Sequence, residues 1–150
     1  MRHTSYFLEI ELREVLELVA QNKIVDISSG GLIVGNRHSN DGIKLIHEDI
    51  ATGKYGIIGE MEGGEFVMNC FATDQFYSRI EEINSYYNTF EGIDGEIPGI
   101  RQHIIPDGHF AIMSACQQAI INRAATQKYL AELVEMNEKA ASNIEAWQQK

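Results

Sequence analysis

Apolar positions change their period along this chain, and each change marks an element. Over residues 5–22, Leu8, Leu12, Val15 and Val19 recur at steps of four, three and four, while Glu9, Glu14 and Glu17 fill other faces. That is the pattern of an amphipathic helix, with Thr4 or Ser5 as its N-cap. Leu8, Ile10 and Leu12 also alternate with Glu as a strand would, but length and strong helix formers favour the helix. Ile24–Ile27 then fits a short strand leading into a Ser28-Ser29-Gly30-Gly31 loop. Four short apolar runs follow, Leu32–Val34, Ile43–Ile46, Tyr55–Ile58 and Phe66–Met68. Between them, Asn40-Asp41-Gly42, Thr52-Gly53 and Glu62-Gly63-Gly64 supply residues that tolerate positive φ, as hairpin turns require. The pattern predicts a small antiparallel meander.

Beyond the meander the period lengthens again. Thr73 is a candidate N-cap, and Phe76, Ile80, Ile83 and Tyr87 form one apolar stripe of a helix that packs on the sheet. Residues 88–108 are broken by Gly92, Gly95, Pro98, Gly99, Pro106 and Gly108, which predicts a long loop with a contact role or partial mobility. From Asp107 to Lys150 the only further breaker is Gly108, so a helix of about forty residues is expected, spanning roughly 60 Å. A four-three spacing from residue 112 to 147 suggests a coiled-coil-like helix–helix seam, the alternative being a helix that folds back on its own domain and frays at its end. Its candidate interface residues are Ile112, Cys116, Leu130, Leu133, Asn137, Ile144 and Trp147, with Arg123, Thr126 and Asn137 interrupting the apolar row. The expected fold class is α+β: an N-terminal helix, an antiparallel β-meander with a packed helix, and a long C-terminal helix. The expected division is 1–106 for the helix and meander and 107–150 for a projecting or pairing helix.

Composition narrows the function. The net charge of −10 works against binding a nucleic-acid backbone, which needs clustered Lys and Arg. Residues 51–106 carry three basic against nine acidic side chains, so no segment there reverses the balance. No apolar run has the length of a membrane span. The Met1–Ser5 start leads into Glu-rich sequence, so no secretory signal is expected and synthesis is placed in the cytoplasm. Cys70 and Cys116 lack metal-type spacing, and buried free thiols are expected in preference to a disulfide.

Candidate chemistry is sparse. His38 stands before a turn with Asp41 nearby and His47 one strand on, and a metal-binding or hydrolytic module using these three is the alternative reading. Their spacing matches no standard zinc pattern, so His38 is expected to brace the turn. Glu60, Glu62 and Glu65 read as a solvated hairpin tip rather than an acid–base pair. Gly53-Lys54 lacks the leading glycine of a phosphate loop. His103 and His109 are expected to be solvated. No base partner is identifiable for Ser39, Ser114 or Cys116, so no catalytic residue, metal or cofactor is assigned.

The stretch Gly35-Asn36-Arg37-His38-Ser39-Asn40-Asp41-Gly42-Ile43, taken with Glu60-Met61-Glu62-Gly63-Gly64-Glu65-Phe66-Val67-Met68-Asn69, resembles a module of tailed-phage and prophage virion proteins. The module recurs in tape-measure-like and minor structural proteins as Gly-Pro-Ser-His-x-x-Gly-Gly-Ile, a spacer, Glu-Gly-Gly-Glu-Phe-Val-Ile-Asn, and a helix ending in Ile-Asn. Here Asn36-Arg37 replaces Pro-Ser and Asp41 replaces the first Gly of the pair. The resemblance covers about residues 30–87. It implies a non-enzymatic structural component of a bacteriophage or phage-derived particle, located in the virion, contacting other particle proteins and copies of itself. His38, Asp41, Gly42, Glu62, Gly63 and Gly64 would then be structural turn residues.

Overall fold

The computed structural model describes residues 8–49, 51–113 and 116–148. Residues 8–10 form strand β1, pairing antiparallel with β5 (54–61). The alternating Leu-Glu-Ile pattern therefore wins over the helical one up to Ile10, and helix α1 spans only Leu12–Ala20. The proposed caps Thr4 and Ser5 lie outside the described residues. α1 buries Val15 against Ile10 and Ile46, while Leu12 and Val19 of the expected stripe, together with Leu16, remain more than half exposed.

The fold is α+β, with two sheets. One has the order β1-β5-β4-β8-β2, with β2 at 24–26, β4 at 43–49 and β8 at 110–112. The other has the order β7-β3-β6-β9, with β3 at 31–34, β6 at 66–67, β7 at 102–104 and β9 at 120–121. The antiparallel pairings β4–β5 and β3–β6 come from the four runs read as a meander. The runs are nevertheless shared between two sheets, because β8 inserts parallel between β4 and β2 and β7 adds parallel to β3.

The expected helix from Asp107 begins only at Arg123. Phe110–Ile112 and Ile120–Ile121 are strands, since β-branched residues there find partners in the sheets. Helix α4 (123–148) carries a break at Tyr129 and does not project from residue 107. Leu133 and Asn137 are buried in the domain core, and Leu130 packs at its edge, so these seam residues face their own chain. Ile112 is a strand residue and Cys116 an exposed loop residue. The side chains of Ile144 and Trp147 lie outside the described part. Because β8 belongs to the larger sheet, a boundary at residue 106 cuts through one packed body.

Helices α2 (70–75) and α3 (77–84) follow β6. The cap is Asn69, whose side chain accepts the Ala72 N–H at 2.8 Å, rather than Thr73. Thr73 is buried and accepts the Ala119 N–H at 3.0 Å. Tyr87 falls beyond α3 and is exposed. The core of this half is Leu32, Phe66, Met68, Ile83, Ile121 and Leu133, all almost fully buried. Burying each such side chain contributes about 1.5–3 kcal/mol. Cys70 and Cys116 form a disulfide, with Cα atoms 5.9 Å apart, in place of the expected free thiols.

Candidate functional site

Most of the turn residues singled out in the sequence meet in one place, where the β5–β6 connection, which passes from one sheet to the other and so is not the expected hairpin, closes on the turn before β4. Gly64 sits at φ +93°, and an added Cβ would come within 2.6 Å of the Ile93 carbonyl oxygen as well as striking the Arg123 guanidinium. Gly63 lies so close to Gly35 that a Cβ would overlap its carbonyl. On the other turn, Asp41 and Gly42 take φ +69° and +57°. Any side chain at residue 42 would collide with the Glu60 carboxylate.

The charged groups interlock around these glycines. Glu62 accepts from the His38 backbone N–H at 3.0 Å and from Arg37 Nε at 3.2 Å. Burial alone would raise the Glu62 pKa, but the bonds from His38 and Arg37 outweigh it and hold the group below its usual value. Glu65 turns inward and accepts the Glu62 N–H at 2.5 Å. Burial pushes its carboxyl up to about 7, against the lowering effect of that bond. His38 Nδ1 lies 2.7 Å from Glu60 Oε1, and this bond raises the imidazole above its usual value.

Arg123, at the start of α4, is the residue that ties the tip to the second half of the chain. Its side chain is 8% exposed. It donates to the carbonyls of Gly63 and Ile93 and to Asp94 Oδ1 at 3.1 Å. In sequence this residue reads only as a polar interruption of an apolar row. The expected solvated tip is thus partly closed: Glu60 is exposed, Glu62 half-buried and Glu65 largely enclosed.

The alternative triad does not assemble as written. His38 and Asp41 line a polar depression of 420 Å³ with Gly42, Lys44, Glu60, Asp107, Gly108, His109 and Phe110, but His47 is not among its walls. Among the described residues no group of three His, Cys, Asp or Glu side chains is gathered to hold a metal. His103, expected in solvent, is half-buried, with Nε2 2.9 Å from the Gly30 carbonyl and 3.3 Å from Ser29 Oγ. Burial lowers its pKa, with the Gly30 contact acting against that shift.

Three further polar residues at the centre of the fold are Asn69, Gln118 and Asn137, buried with Thr73 and Thr126. Gln118 Nε2 lies within hydrogen-bonding distance of the carbonyls of Ile27, Ser28 and Met68, at 3.2, 3.3 and 3.1 Å. Asn137 accepts the Asn69 N–H at 2.7 Å and donates to the Ser29 carbonyl at 3.1 Å. Of these, only Asn137 stands out in the sequence, as a polar residue in an apolar row. No helix among the described residues is long and apolar enough to cross a membrane. Comparison with protein-family models, curated proteins and solved structures found no match to this chain.

Proposed function

We propose that this chain is a non-enzymatic structural component of a bacteriophage or phage-derived particle that works through protein–protein contacts. The observation that carries the reading is the use made of the residues that resemble the virion module. Gly42, Gly63 and Gly64 allow close backbone approach, Glu62 and Glu65 fix the turn between β5 and β6, and Asn69 caps a helix. These groups hold a platform in shape, and their bonds are to the chain itself. Leu12, Leu16 and Val19 offer an exposed apolar stripe on α1 through which such a platform can meet other particle proteins or further copies of itself.

The test is to purify particles from a producing culture by density-gradient sedimentation and quantify this chain in them by mass spectrometry. A fixed number of copies per particle is expected, with Leu16→Glu retaining the fold but reducing incorporation. Recovery of the chain only in the unassembled fraction would overturn the reading.

A further inference from the structure

Residues 65–84 and 118–137 match each other at a constant shift of 53 positions, which carries Asn69 onto Asn122 and Asn84 onto Asn137. Ala72, Thr73 and Glu82 likewise fall on Ala125, Thr126 and Glu135. Apolar type is kept where Val67 meets Ile120, Phe76 meets Tyr129, Ile80 meets Leu133 and Ile83 meets Met136. The backbone repeats too. The first helix breaks at Phe76 (φ −113°, ψ 25°) and the second at Tyr129 (φ −115°, ψ 21°). Asn122 accepts the Ala125 N–H at 2.9 Å, as Asn69 accepts that of Ala72.

The two stretches also grip each other reciprocally. Asn69 donates its N–H to Asn137 Oδ1 at 2.7 Å and its amide to the Asn137 carbonyl at 3.0 Å. Asn122 does the same to Asn84, at 2.8 and 3.1 Å. In the strand pair, Val67 lies opposite Ile120, its own counterpart under the shift. A local two-fold relation between the copies requires this arrangement. Arg79 and Glu132 are counterparts as well, and they form a paired bridge with Nε–Oε2 2.6 Å and Nη2–Oε1 2.9 Å.

We infer that residues 65–84 and 118–137 are two copies of one self-pairing unit, and that Arg79 with Glu132 makes the unlike copies the preferred partners. The face of each unit takes another copy of the unit, provided that the residue facing Arg79 is a carboxylate. Two identical first copies would set Arg79 against Arg79, and two second copies Glu132 against Glu132; both are repulsive. This chain fills both faces internally. Its contacts with other molecules therefore use other surfaces, whatever assembly it serves.

The test compares the full chain with Arg79→Glu, Glu132→Arg and the double reversal, by urea midpoint and light scattering. Both side chains are about 40% exposed, so the variants keep their core. Each single change should lower the folding constant roughly threefold, a partly solvent-screened effect. The double reversal should recover the wild-type midpoint, because the copies supply matching surroundings. Arg79 has Glu82 three residues on and Tyr129 beside it. An arginine at position 132 would find Glu135 and Phe76 in the corresponding places.

A double reversal as weak as the single changes would overturn the symmetric pairing, and single changes without effect would overturn the role of the charges. Hydrogen exchange on the unaltered chain supplies a second measurement. Amides of 66–69 and 119–122 should open with the same free energy, and independent opening of one strand would also overturn the pairing.

Discussion

The two repeated stretches share a frame but sit in different surroundings. In the first, the position before the strand is Glu65, an acceptor closing a turn on the Glu62 N–H. In the second it is Gln118, a buried donor facing three carbonyls. The Asn69–Asn137 clasp is buried, whereas the Asn122–Asn84 clasp is open to solvent. What the copies hold in common is therefore the geometry of pairing. What they do not share is the polarity required where each one meets the rest of the domain.

Exchanging that polarity should break the comparison most severely. Gln118→Glu removes the amide donor and places a carboxylate, 5% exposed, against the carbonyls of Ile27, Ser28 and Met68. A loss of about 4 kcal/mol is expected in chemical denaturation at neutral pH. A loss below 1 kcal/mol would mean that Gln118 is not needed as a donor.

The opposite exchange should act in the opposite direction. The folded-state pKa of Glu65 lies near 7, above its ordinary 4.5, so the fold favours the protonated carboxyl. The resulting stability is complete below pH 4.5 and is lost as pH rises through 7. Glu65→Gln, which stays neutral, should match the wild type near pH 4.5 and exceed it by roughly 3 kcal/mol at pH 8. Stability curves of both proteins across that range decide the matter, and a pH-independent difference would exclude the buried acid as its source.

The clasps should differ in a smaller and graded way. Asn137→Ala strands a buried Asn69 N–H and releases the Ser29 carbonyl, at a cost of about 2–3 kcal/mol. Asn84→Ala makes the equivalent change in solvent and should cost about 1 kcal/mol. Equal losses in thermal melts would show that burial does not separate the two.

Much of residues 31–67 was legible because the information there is local. Gly64 and Gly42 do adopt positive φ, and the turn residues surround one junction. Apolar runs marked β3, β4, β5 and β6, since each run is bounded by residues that cannot continue it. Beyond the antiparallel β4–β5 pairing, the sheet partners were not legible. Phe110–Ile112 has a helix-compatible sequence and becomes a strand because β2 and β4 flank it. The row containing Leu133 and Asn137 has the spacing of an intermolecular seam, and spacing alone does not say which molecule supplies the other side. Asn137 was readable as a polar residue in an apolar row, whereas Asn69 stands out only when the chain is slid against itself, where the recurrence of Asn, Ala and Thr appears.

Arg123 reaches back 60 positions to the carbonyl of Gly63. During synthesis the turn at residues 62–65 emerges from the ribosome long before the residue that completes it. At about 5–20 residues per second, this interval lasts several seconds. Through those seconds no Arg123 guanidinium is available to the Gly63 carbonyl. Helix α4 thus closes a turn made 60 positions earlier, and the order of translation sets when that turn can become rigid.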